Sequence, residues 1–184
     1  QEAEGRERLI RFLDSYGGAT PELPIVDTLC ARFGLYPYMS IASSPDEVMA
    51  LAVEYHTPAA LAPRGFTFHA QQQRIYERLM DGESLILSAP TSFGKSVIVD
   101  ALVASEQWDC IVLLVPTVAL IDEVRRRLAT LGDHYTIVTH PAQEPSPHSV
   151  YVMTQERFRE LEQMPPVDFF MIDEFYKLGS AEKE

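Results

Sequence analysis

Apolar residues near the amino terminus recur with the three-to-four-residue period of one helix face. Leu9, Ile10, Leu13 and Tyr16 form the first such set, and Gly17-Gly18 would stop that helix. A second set, Ile25, Val26, Leu29, Cys30 and Phe33, starts at Pro24 and ends at Gly34. The third is announced by Ser44-Pro45-Asp46-Glu47, a capping box with proline in the first turn, and its Val48, Leu51 and Ala52 point one way. Three short amphipathic helices bury little surface alone, so residues 1–60 read as a small helical module that packs on the larger remainder of the chain. Nothing in it matches a site pattern, and an accessory or docking role is expected.

Thr57 to Gly65, with two prolines and three alanines, is the expected linker. Beyond it the period changes repeatedly. A helix is predicted over 70–80. Strands then fall near 85–89, 111–115, 135–139, 149–153 and 167–172, with helices near 95–106, 118–131 and 155–163. Strand and helix alternating in this way predict an α/β fold, a parallel sheet with helices on both faces, over residues 61–184.

Composition narrows the class. The 184 residues are 46% hydrophobic, enough for one globular domain with an appendage. No apolar run approaches the ~20 residues of a membrane span, and no secretory signal is visible, so a cytoplasmic protein is expected. Cys30 and Cys110 stand far apart, and the five histidines show no ligand spacing, which leaves disulfide-stapled and zinc-bound readings without support. The net charge of −12 is opposite in sign to that of a protein gripping nucleic acid by bulk electrostatics. Arg125, Arg126 and Arg127 do not change this, because three consecutive helical residues point around much of the circumference and read as a solvated face.

Two stretches carry chemistry. In E-S-L-I-L-S-A-P-T-S-F-G-K-S, residues 83–96, an apolar strand enters a turn and then a helix beginning near Gly94. A helix start offers unpaired N–H groups and the positive dipole end to a polyphosphate. The backbone from Thr91 through Ser92, Phe93, Gly94 and Lys95 to Ser96 can cradle phosphates. Gly94 permits a close approach, Lys95 supplies a charge for the β and γ phosphates, and the Ser96 hydroxyl suits Mg²⁺. The spacing is that of a P-loop whose first glycine is Ala89. The second stretch, Val167 to Ile172, is a buried-strand pattern ending in Asp173 and Glu174. There an Asp can hold Mg²⁺ and the adjacent Glu can orient or deprotonate an attacking water.

The order of motifs resembles that of the superfamily 2 helicases. A-P-T-S-F-G-K-S (89–96) looks like motif I and V-P-T-V-A-L-I-D-E (115–123) like motif Ia; T-Q-E-R-F (154–158) is similar to the T-P-E-R element and I-D-E-F-Y (172–176) to motif II. F-T-F-H-A-Q-Q (66–72) resembles the Q-motif. The D-E-F-Y form fits Ski-like and related members better than the D-E-A-D or D-E-A-H subgroups. Gln155 replaces the usual proline, and Pro141 to His148 shows no match to the Gly-containing nucleic-acid motif of many relatives.

The resemblance implies a first RecA-like motor domain at 61–184, truncated after motif II, that binds and hydrolyses ATP with Mg²⁺. Lys95, Asp173 and Glu174 would be its catalytic residues, with Ser96 and Asp173 as metal ligands. Gln72, favoured over Gln71 and Gln73, would read adenine, with Phe66 or Phe68 stacking on it. Thr117, Thr154 and Arg157 would touch a DNA or RNA single strand. A second RecA-like domain with an arginine finger would lie beyond this chain, leaving the fragment weakly active, and a protein partner could sit at residues 1–60. Two rivals remain: a double-stranded-DNA translocase of a restriction or defence system, and a nucleotide-gated scaffold. Phe93 is expected to pack on the helical module or on the absent second domain, and Phe175 and Tyr176 to be packing residues.

Overall fold

The computed structural model describes residues 2–16, 24–39 and 47–175. It divides into two compact units, Gln1–Ala101 and Leu102–Glu184. Among the described residues no helix is long and apolar enough to cross a membrane. The glycine stop at Gly17-Gly18 and the capping residues Ser44 to Asp46 lie outside the described residues.

The first unit contains helices α1 (Glu2–Asp14), α2 (Pro24–Arg32), α3 (Glu47–Tyr55) and α4 (Ala70–Met80), and the start of α5 (Lys95–Ala104). The periodic residues of α1 and α2 do meet: Leu9, Leu13, Val26, Cys30 and Leu35 form one cluster, with Ile10, Leu29 and Phe33 against it. Helix α3 differs from expectation. Val48 and Leu51 are 74% and 62% exposed, while Val53 and His56 are buried. Apolar residues surround this helix, so its sequence does not select a face; tertiary partners do. Tyr36 stacks on His56 with ring centroids 3.8 Å apart, and the His56 carbonyl accepts from the Phe68 N–H at 2.7 Å.

No strand forms at 85–89. Residues 83–90 run without regular structure, and Ile86 is 87% exposed. A strand exists only where a neighbour shares its backbone hydrogen bonds, and the four strands of the sheet all lie in the other unit.

The second unit is built on that sheet: β1 (Cys110–Leu114), β2 (Thr136–Val138), β3 (Ser149–Met153) and β4 (Phe169–Ile172), in the order β2-β3-β1-β4 and parallel throughout. Every residue of β1 and β3 is buried, as expected of interior parallel strands. Helices α6 (Val118–Leu128) and α7 (Gln155–Arg159) connect them. Cys110, Val112, Leu114, Val138, Tyr151, Met153 and Phe158 form one core cluster. At the amino-terminal edge, the Asp168 carboxylate accepts from the N–H groups of Asp109 (3.1 Å) and Cys110 (2.9 Å), fixing the entry of β4 against β1.

Candidate functional site

In the first unit the chain turns through a short 3₁₀ segment, Thr91–Phe93, to Gly94 and then α5. Gly94 has φ +79°, a conformation that disfavours side chains, and a Cβ there would stand 2.6 Å from Nε2 of Gln72. The left-handed backbone reserves the position for glycine, and a side chain there would also push the Gln72 amide aside. Lys95 Nζ donates to the carbonyl oxygens of Ala89 (3.1 Å) and Pro90 (3.3 Å), so the ammonium lies across the loop's own backbone. Thr91, Ser92 and Ser96 are exposed, and Ser96 sits in the first turn of α5.

Gln72 is 7% exposed and fully engaged. Its Oε1 accepts from the His69 N–H at 3.1 Å, while Nε2 donates to the carbonyls of Phe93 (2.9 Å) and Gly94 (3.3 Å). The Gln72 N–H in turn donates to Nδ1 of His69 at 3.3 Å, completing a capping box at the start of α4 with histidine in the serine's place. The Nδ1 lone pair must therefore be free. Burial holds the His69 ring below its ordinary pKa of 6.5, with the nearby Arg6 charge helping and the Phe93 carbonyl opposing. Phe93 is half-buried and its ring meets that of His69 edge-on at 5.0 Å, so the partner of this loop aromatic is the cap of α4.

The neighbouring glutamines differ: Gln71 is exposed, and Gln73 donates to Glu77 at 3.0 Å. Beside the loop, Gln71, Arg74, Leu87, Pro90 and Phe93 border an open hollow of about 340 Å³, a volume within the range of small-molecule sites. Of the two aromatic candidates for stacking, Phe68 is wholly buried against Tyr76 and cannot face a ligand. Phe66 is exposed.

In the second unit the remaining candidates gather at the carboxyl edge of the sheet, where ligands of parallel sheets bind. Asp173 follows β4 and its N–H donates to the Leu114 carbonyl at 2.9 Å, so it sits beside the end of β1. Glu174 has φ +50°, a left-handed conformation that costs a non-glycine residue about 1–2 kcal/mol. Thr117, after β1, is exposed and caps α6 by accepting from the Leu120 N–H at 3.4 Å. Thr154, after β3, is 6% exposed and caps α7 through the Arg157 N–H. Arg157 Nη1 donates to the Thr139 carbonyl at 3.1 Å, tying α7 to the end of β2.

Arg125 and Arg126 are exposed and turned onto Asp122, as a solvated face requires. Phe175 is 56% exposed rather than packed, since the turn after Asp173 carries it off the sheet. Tyr176 lies outside the described residues. Among the described residues no group of three or more His, Cys, Asp or Glu side chains is gathered for a metal ion.

Residues 1–49 match the family described as anti-bacteriophage protein B N-terminal domain. Anti-bacteriophage protein B of Escherichia coli (strain K12) is 42% identical over 180 residues, which is 95% of this chain and 24% of that protein. The chain thus spans about a quarter of the length of the curated relative it matches. No solved structure matches. Residues 69–184, which hold the Gly94–Lys95 turn, the strand-end Asp-Glu pair and the RecA-like α/β sheet, match the DEAD/DEAH box helicase family; the chain belongs to that family.

Proposed function

We propose that these residues are the ATP-binding first motor domain of an ATP-dependent nucleic-acid helicase or translocase, with residues 1–60 as an accessory module and 61–184 as the RecA-like part. The observation that carries it is the left-handed conformation of Gly94, directly before the helix that starts with Lys95. A glycine turn that leads straight into a helix start, whose first N–H groups are unpaired, fits a triphosphate. Lys95 exchanges the carbonyls of Ala89 and Pro90 for phosphate oxygens. Ser96 of the first unit and Asp173 of the second would each be a magnesium ligand, and Glu174 would orient the attacking water. Magnesium, when bound, neutralises charge on the phosphates.

Gln72 is the proposed adenine-reading residue, a role that requires its amide to leave the Phe93 and Gly94 carbonyls, and Phe66 is the aromatic residue available to stack. Thr117, Thr154 and Arg157 lie at strand ends where a DNA or RNA backbone could run. Since Thr154 is buried as a cap, exposed Thr117 carries more of that contact. The cytoplasm is the proposed location.

The similarity to an anti-bacteriophage protein supports a second, compatible reading, a nucleic-acid translocase serving defence. The test is nucleotide turnover by the full-length protein with and without DNA or RNA. Lys95→Ala should lose ATP binding, whereas Glu174→Gln should keep ATP and lose turnover. Undiminished turnover in Glu174→Gln would reject the motor reading. In P-loop enzymes an arginine finger is worth about 10³ to 10⁵ in kcat, so the 184-residue chain alone should turn over far more slowly than the full-length protein.

A further inference from the structure

We propose that the amino-terminal helical module is a positioning element of the phosphate loop, acting through the first turn of α4; this rests on the reading of that loop as a nucleotide site.

The path runs through three close steps. Gly34, which ends α2, has φ +65°, and its carbonyl accepts from the N–H of Ala70, the first residue of α4, at 2.9 Å. That N–H is one of the amides a helix start leaves unpaired, so the module pairs an amide that the His69–Gln72 capping box leaves open. A Cβ on Gly34 would stand 2.6 Å from Cβ of Ala70, and the two backbones touch with no room to spare. A second grip lies two residues earlier, where the His56 carbonyl holds the N–H of wholly buried Phe68 and Thr57 and Thr67 pair their hydroxyls at 3.0 Å.

The third step leaves α4 for the loop. Within its first turn, Gln72 reaches the Phe93 and Gly94 carbonyls, and its amide lies 2.6 Å from where a Cβ on Gly94 would stand. Each contact is short and at least one partner in each is at least partly buried. A shift of the Gly34 turn therefore moves Ala70, rotates the capping box and carries the Gln72 amide away from the loop carbonyls. The helical module is in this sense part of the loop's support. Its folding and any load placed on it are transmitted to residues 91–96.

Amide hydrogen exchange of the full-length protein without nucleotide tests the link, with β1 and β3 as the reference for an intact fold. Gly34→Ala sets a methyl against Ala70 and should raise exchange across 91–96 roughly tenfold, the scale of coupling between residues in contact. Unchanged loop exchange in folded Gly34→Ala overturns the proposal. If Gly34→Ala does not fold, Tyr36→Leu, which removes the ring stacked on His56, should raise loop exchange more mildly; no rise overturns the proposal equally. Binding of a fluorescent ATP analogue should weaken in step with exchange. Failure of the unsubstituted protein to bind it would reject the nucleotide reading, while the exchange experiment still decides the mechanical link.

Discussion

The amide nitrogen of Gln72 occupies the space that a methyl group on Gly94 would need, 2.6 Å from the ideal Cβ position. Substituting Gly94→Ala should therefore break two things together: the left-handed turn, at about 1–2 kcal/mol, and the Gln72 bonds to Phe93 and Gly94. Titration calorimetry should show nucleotide affinity at least about tenfold weaker, since ~1.4 kcal/mol is a factor of ten. The denaturation of the β-sheet unit should hardly change. Affinity equal to the parent's would show that the loop tolerates a side chain there.

Acid should loosen the same region through His69. Its folded-state pKa lies below 6.5, so the unfolded chain takes up the proton first. The stability that the neutral ring confers is complete above pH 6.5 and is lost as pH falls from 6.5 through the lowered folded value. Urea midpoints between about pH 7.5 and 5 should fall more steeply for the protein than for His69→Asn, whose amide oxygen can cap without titrating. Parallel curves would mean that the ring does not act as the cap.

Cys30 offers the opposite pH dependence. Burial first, and the Asp27 charge second, push its thiol up to about 11 from an ordinary 9.0. Its contribution is complete below pH 9 and lost between pH 9 and about 11, because the unfolded chain ionises first. The thiol should resist alkylation near pH 8 in the native protein and react on unfolding. Rapid native-state labelling would contradict its place inside the α1–α2 cluster.

Asp168 should prove to be a structural residue. Removing its carboxylate in Asp168→Ala leaves the Asp109 and Cys110 N–H groups without their acceptor. Because Asp168 is exposed and water can substitute, a loss of about 1–2 kcal/mol of stability, read from the denaturant midpoint, is expected. Asp168→Asn, which keeps an acceptor oxygen, should lose less.

The extent to which the sequence reveals this arrangement depends on whether each signal is local. Strands β1 and β3 are legible because buried parallel strands are uninterrupted apolar runs, and α4 because its ends and period agree. The run at 85–87 carries the same apolar signal yet forms no strand, since strand formation depends on a neighbour that no local pattern encodes. Helix α3 departs from its pattern for a related reason: with Val48, Leu51 and Val53 all apolar, the buried face is chosen by Tyr36 and Phe68. The capping role of His69 is within reach of the sequence, because H-x-x-Q has the capping-box spacing, but histidine seldom takes the serine's place. The Gly34–Ala70 contact spans 36 positions (70 − 34) and leaves no trace beyond a glycine that looks like an ordinary helix stop.

Strand β4 has one further consequence, for handling in solution. It pairs with β1 on one side, has no strand on the other among the described residues, and exposes Phe170 and Ile172. Such a margin invites self-association, which four residues of length and a charge of −12 per molecule restrain. Added electrolyte shortens the reach of that repulsion, to about 8 Å at 0.15 M. Light scattering should therefore find the protein most monodisperse in dilute buffer and increasingly clustered as salt is raised.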